Sequence, residues 1–300
     1  MIVFLDVDGT YADQGIVPQA HIAAVREARA RGHRVLLCTG RSACMLSASV
    51  VEAGFDGIVG SAGAYVEVGG RVLLDQRFPR DLADRTVDVL DAHKVAYVLE
   101  SPEILEGPPG IAARLAAVFG RLQARSGGLR STPETHTRVE TYARRGESRF
   151  SKVTVFESSV VVSRLGELIG PEVATLPSSM PNMGPTAGEI FLAYLHKAGG
   201  AEIATRELGG RPEDTVAVGD GLNDVEMLAW AGIGVAIEGA PAAVLAVADR
   251  TAPGPEQAGL AQLFDELGLT GTTGVPSAIP RQQTSTTRSS ANDGVDKCTR

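Results

Sequence analysis

Ile2 to Leu5 is a short, wholly apolar run with a polar segment behind it, the pattern of a strand buried on both faces of a parallel sheet. Pro18 then opens an Ala/Arg-rich stretch that ends at Gly32, which predicts a helix with proline at its start and glycine beyond its end. Val35 to Cys38 repeats the strand pattern, Ser42 is placed to cap a helix running to Gly54, and Gly57 to Val59 reads as a third strand. This alternation predicts an α/β fold with a doubly wound, Rossmann-like parallel sheet, whose ligands gather at the carboxyl ends of its strands.

The texture then changes. Tyr65 to Val68, Gly69-Gly70 and Arg71 to Leu74 read as a hairpin, because paired glycines supply the positive φ of a tight turn. From 79 to 187 come amphipathic helical stretches and alternating strands, Val95 to Leu99 and Lys152 to Phe156 among them, broken by Pro108-Pro109, Gly127-Gly128 and the loop from Ser178 to Pro185. We read this as an inserted α+β domain. The βα texture returns over 188–270, with a helix at Ala201 to Leu208, a strand at Thr215 to Val218, a helix at Asp224 to Ala231 and a strand at Ile233 to Ala236. The first domain is therefore split into 1–78 and 188–270. Residues 271–300 are too poor in large apolar side chains to offset ordering entropy and predict a disordered tail.

A formal charge of -8 disfavours nucleic acid and anionic lipid over most of the surface and points to a small-molecule partner. The apolar start is too short for a signal peptide and no stretch is long enough to span a bilayer, so a cytoplasmic protein without a membrane partner is expected. Cys38, Cys44 and Cys298 lack the spacing of a zinc site or a disulfide framework and read as buried or idle thiols.

Asp6-Val7-Asp8-Gly9-Thr10 follows the first strand directly. In an extended continuation residues two apart share a side, so both carboxylates would stand at the strand's carboxyl edge, where their repulsion calls for a cation or a shared proton. Thr39-Gly40-Arg41-Ser42 follows the second strand and offers a hydroxyl and free amides to an anion. Gly219-Asp220-Gly221-Leu222-Asn223-Asp224 follows the strand at 215–218 and supplies hard oxygen ligands of the kind magnesium takes. Taken alone, Asp8-Gly9 is an ordinary turn, Thr39-Gly40-Arg41 is another, and Asn223 or Asp224 can simply cap a helix.

In this order the three segments resemble motifs I, II and IV of the haloacid dehalogenase (HAD) superfamily, and Glu189-Ile190 with Leu195-His196-Lys197-Ala198-Gly199 is similar to motif III, although Ala198 stands where the family often has glycine. The resemblance implies a HAD core carrying a C2-type cap, closest to the Cof-type, or IIB, group, whose members mostly dephosphorylate sugar phosphates and similar metabolites. It implies Asp6 as nucleophile and Asp8 as general acid and base. Mg2+ would be held by the Asp6 carboxylate, the Asp8 main-chain carbonyl and Asp220, with Asp224 behind them, and the phosphate by Gly9, Thr39, Gly40, Lys197 and Asn223.

The activity so implied is hydrolysis of a small phosphomonoester, by a monomer or homodimer. A phosphomutase with the same nucleophile and a non-catalytic phosphate-ligand-binding protein on this fold are the alternatives. Lys152 is the reserve motif III candidate, though it fits an exposed strand position better, and His196 reads as structural or surface. Arg144, Arg145 and Arg149 form a basic cluster that suits a solvated loop or a substrate anion. Tyr11, where the family often has an aliphatic residue, is expected to put a ring near the mouth of the pocket.

Overall fold

The computed structural model describes residues 1–13, 15–125, 138–142, 148–178, 180 and 182–271. The expected tail, apart from its first residue, lies outside them, as do Cys298, Gly127-Gly128, Arg144 and Arg145.

Period-two alternation builds the first sheet. In β1 (Ile2–Leu5) every residue is buried; Val3 and Leu5 enter one apolar cluster with Ile22, Val25, Leu260 and Phe264, while Ile2 and Phe4 enter another with Ala201, Ala204, Met227 and Leu228. Helices therefore cover both faces, which a parallel sheet requires. Beside β1 lie β2 (Arg34–Cys38) and β3 (Gly57–Gly60) on one side and, on the other, β12 (Thr215–Gly219), β13 (Ile233–Ile237) and β14 (Arg250–Ala252), all parallel. The hairpin of β4 (Tyr65–Val68) and β5 (Arg71–Asp75) continues the sheet antiparallel, giving the order β14-β13-β12-β1-β2-β3-β4-β5. This is the doubly wound α/β core expected.

The inserted unit has its own sheet, in the order β10-β11-β9-β6-β7-β8 among the described residues. Its strands are β6 (Ala96–Glu100), β7 (Leu105–Gly107), β8 (Val139–Thr141), β9 (Lys152–Glu157), β10 (Val173–Pro177) and β11 (Gly188–Leu192). Tyr97, Leu99, Val153 and Val155 pack on the helices Arg80–Ala92 and Val162–Ile169. Ala96, Val98 and Phe156 point the other way, towards the helix Ile111–Arg125 and towards Cys44 and Met45 of the core. β11 pairs with β9 and β10 in this sheet, so the chain returns to the core after Leu192 and not at 188 as the sequence reading placed it.

Three local expectations are corrected. Ser42 caps no helix to Gly54: a single 3-10 turn, Ala43–Met45, and a short helix, Ala48–Val51, stand there, and the Ser42 hydroxyl donates to Glu100 at 3.1 Å. Lys152 is not exposed but 2% accessible, because the inserted sheet rests that face on the core. Tyr11 does not reach the pocket mouth. Its ring is wholly buried against His21 and Phe55, and its hydroxyl has no hydrogen-bond partner among the described residues.

His21 joins the two ends of the core. Its Nδ1 donates to the Tyr11 carbonyl at 2.9 Å and its Nε2 accepts from the Leu260 amide at 3.2 Å, so the neutral ring is the form these bonds require. Burial pushes its pKa below the usual histidine value. The unfolded chain then takes up a proton that the folded chain refuses, and stability declines as pH falls through about 6.5 towards the lowered folded value. Thermal melts of the native chain and of His21→Gln across this window are expected to show a smaller acid-side decline in the variant; equal declines would remove His21 from the account. His33, also lowered by burial, is common to both chains and cancels in that comparison.

Candidate active site

The residues from the first, second and twelfth strands meet because β1 lies between β2 and β12, with Leu5 level with Leu37 and Val218. Asp6 follows β1 and its amide donates to Val218 O at 3.0 Å. The run beyond it is not the extended continuation predicted. The Tyr11 amide donates to the Asp6 and Val7 carbonyls and the Ala12 amide to Val7 O, closing a tight turn through Gly9 at φ +84°. A Cβ on Gly9 would lie 2.3 Å from Asp220 Oδ2, so this position needs glycine for space as well as for conformation.

The turn sends the two carboxylates of the first motif to different environments. Asp6 is buried, and its Oδ1 accepts from Lys197 Nζ at 2.6 Å. Asp8 is exposed and accepts a two-pronged pair of bonds from Arg41, Nε to Oδ2 at 2.7 Å and Nη2 to Oδ1 at 2.5 Å. Arg41 belongs to the second motif and Asp8 to the first, and two residues so far apart along the chain carry no local signal of such a pair.

Lys197 starts the helix Lys197–Glu207, whose N-cap is His196, with Nδ1 accepting from the Gly199 amide. The helix seats closely on β3 and the turn after it: a Cβ on Gly200 would lie 2.5 Å from Val59 Cγ1, and one on Gly63 would lie 2.3 Å from His196 O. This approach puts Lys197 Nζ 2.6 Å from Asp6 and 2.6 Å from Asp224 with no exposure to solvent. The other Asp224 oxygen accepts from the amides of Asp220 and Gly221 at 3.1 and 2.9 Å, so Asp224 braces the loop that carries Asp220. Asp220 Oδ1 accepts from the Thr10 hydroxyl at 2.9 Å.

Thr39 is buried. Its Oγ1 accepts from the Arg41 amide at 3.1 Å, leaving its own O–H to donate elsewhere. Asn223 is half-buried beside Gly40: a Cβ on Gly40 would lie 3.5 Å from Asn223 Nδ2 and 3.7 Å from Glu189 Oε2. Lys152 touches neither Asp6 nor Asp224 in the described contacts; its Nζ donates to Gly40 O at 2.6 Å and to Glu189 at 2.9 Å.

Burial pushes the Asp6 carboxyl well above the usual carboxylate range, against the pull of Lys197 and with help from Asp224 and Asp220. Asp220 is raised for the same first cause, while the Thr10 hydroxyl opposes it. Burial would lower Lys197, but the carboxylates of Asp224 and Asp6 hold its proton and its pKa is raised. Asp6 and Asp224 share one ammonium, and the oxygens that Asp6, Asp220 and Asp224 offer lie within 4.8 Å of one another. A divalent cation fits this donor set, being hard-oxygen in preference and of the charge that the cluster lacks.

A model described as haloacid dehalogenase-like hydrolase matches residues 3–264, and the chain belongs to that family, within its Cof-type group. It is 26% identical to a phosphoglycolate phosphatase of Methanopyrus kandleri, over 89% of this chain and 96% of that one. A solved protein from Geobacillus kaustophilus superposes with a TM-score of 0.70 at 25% identity, covering 89% of this chain and 98% of its own. A solved HAD subclass IIB sugar phosphatase does so with a TM-score of 0.70 at 21% identity, covering 89% and 99%.

Proposed function

We propose that the chain is a magnesium-dependent phosphomonoester hydrolase that passes the phosphoryl group first to Asp6 and then to water. The observation that carries this reading is the buried Asp6–Lys197–Asp224 chain at the carboxyl end of β1, with the exposed Asp8 two residues from Asp6. One carboxylate is desolvated and fixed, as a nucleophile should be; the other has solvent access, as a proton carrier needs.

In the first step an Asp6 oxygen attacks phosphorus in line, the P–O bond to the leaving group breaks, and Asp8 gives its proton to the departing alkoxide. In the second step water attacks the same phosphorus, loses its proton to Asp8, and the bond to Asp6 breaks to release phosphate. Lys197 keeps its proton throughout and holds Asp6 in place, while the Thr39 hydroxyl and Asn223 amide are donors for phosphoryl oxygens. Mg2+ would be held by Asp6, Asp220 and the Asp8 carbonyl, braced by Asp224, and when bound would offset the charge of the incoming dianion.

The subclass IIB sugar phosphatase shares the fold, and the Methanopyrus relative is a phosphoglycolate phosphatase. Both support a small phosphorylated metabolite, and sugar phosphates are the class we favour. No helix of the described residues is long and apolar enough to cross a membrane, and we take the protein to work in the cytoplasm without nucleic acid.

Phosphate release from a panel of sugar phosphates, nucleotides and phosphoglycolate, with magnesium or with EDTA, tests the reading. Release that depends on magnesium is expected, together with a melting temperature raised by the metal, since a ligand at about 100 times its Kd adds about 2.7 kcal/mol to the folded state. No release from any compound by folded protein that still melts higher with magnesium would favour the binding protein, and isomerised phosphate ester in place of free phosphate would favour the mutase.

A further inference from the structure

We propose that the inserted unit positions Asp8 through a buried two-point clamp, Lys152 on Gly40 and Glu100 on Ser42, placed on either side of Arg41. This rests on the reading of Asp6 and Asp8 given above.

The fork of Arg41 holds both oxygens of the ionised Asp8, and once Asp8 has taken up a proton one prong still bonds its carbonyl oxygen, so the direction of the Asp8 carboxyl follows the Arg41 backbone. That backbone is held from two sides. From the core, the Ala62 amide donates to Thr39 O and the Ser61 amide to Arg41 O. Both donors are non-glycine residues at positive φ, 56° and 49°, a strained turn whose result is to aim two amides at this loop. The carbonyl between those two, Gly40 O, is taken by the inserted unit through Lys152 Nζ at 2.6 Å, and the Ser42 hydroxyl donates to Glu100 Oε2 at 3.1 Å.

Lys152 and Glu100 face each other across the β6/β9 pairing, and their side chains are 3% and 2% exposed. Their charged ends lie 3.4 Å apart, with Glu189 2.9 Å from the ammonium and the Thr154 hydroxyl donating to Glu100. Water cannot replace a missing partner at such depth, so contacts that a solvent-exposed pair would exchange freely are held here. A sheet face kept only for packing could be apolar at these positions, as it is at Val98 and Phe156. Lys152, Glu100 and Ser42 are thus positioning residues: they act on Asp8 through Arg41, and only while the inserted unit is docked.

The test compares kcat/KM for p-nitrophenyl phosphate, whose leaving group departs without a proton, with kcat/KM for the best-hydrolysed sugar phosphate, whose alkoxide needs one. Both are measured on the full chain with magnesium. Ser42→Ala and Lys152→Met are expected to lower the sugar phosphate value about 10- to 100-fold and the aryl value no more than about 3-fold, because only the former draws on general-acid help. Ser42→Thr, which keeps the hydroxyl, is expected to restore the native ratio. Arg41→Met should give the same change in ratio, and adding Ser42→Ala to it should change the ratio little further, since both act through one side chain.

An equal fall for both substrates, or an unchanged ratio in variants that melt like the native chain, would overturn the proposal. Should Lys152→Met fail to fold, with the buried Glu100 left without its counter-charge, Ser42→Ala decides alone. Survival of either hydrolysis in Asp6→Asn would instead condemn the underlying reading, so the two failures are told apart.

Discussion

Asp6→Asn is expected to lose phosphate release by a factor on the order of 1,000 or more while the fold stays intact. The amide matches the carboxylate in shape and can still accept from Lys197 at its oxygen, but it is a poor nucleophile towards phosphorus. Asp6 is also a buried carboxylate pushed up by its burial, so replacing it with a neutral group relieves a desolvated charge, and Lys197 keeps Asp224 as a partner. The variant should therefore melt within a few degrees of the native chain. The informative pair of measurements is the melt and the phosphate assay on the same preparation. A folded variant that releases phosphate at the native rate would mean that another group attacks.

Lys197→Met is expected to damage both stability and activity. Removing one partner of a buried ion pair costs roughly 3–5 kcal/mol, because the carboxylates left behind have neither water nor counter-charge. That corresponds to a fall in melting temperature on the order of 10 °C. The sign of the pH dependence separates this cause from loose packing. The stranded Asp6 carboxyl, raised by burial and no longer opposed by Lys197, holds its proton more tightly folded than unfolded, so stability is lost as pH rises and regained as it falls. The variant should lie closer to the native chain at about pH 5 than at about pH 8. A deficit that is the same at both values would point instead to packing where the helix starting at Lys197 seats on β3.

The strands of the core could be read from the sequence because each is a short apolar run between polar turns, and β1, β2 and β12 lie where those runs fall. The site residues stood in compact segments beside those strands, and parallel neighbours place such segments at one edge whatever lies between them. What escaped depends on surfaces that meet only after folding. Lys152-Val153-Thr154-Val155 alternates as a half-exposed strand does, and nothing local says that its polar face will be closed over by the core. Tyr11 is a turn residue by position, yet the turn faces inward onto His21 and Phe55. Ser42 has the chemistry of a helix cap, but Glu100, from another sheet, competes for its hydroxyl. Glu189 followed by an apolar pair suited a core strand as well as an inserted one, and only the pairing of β11 with β9 decides it.

The pairing of β1 with β12 has a consequence for how such a protein can diversify. Asp6 and Asp220 are held together by hydrogen bonds across neighbouring strands, so the chain between β5 and the helix at Lys197 is not needed to bring them together. A foreign insertion grafted there would inherit a complete set of carboxylates and the ammonium. It would not inherit Lys152 and Glu100, and the loop bearing Arg41 would be left with its core contacts alone. On the proposed reading, exchange of the inserted unit is thus free at Asp6 and constrained at Asp8, where each newcomer must bring its own grip on residues 40 and 42.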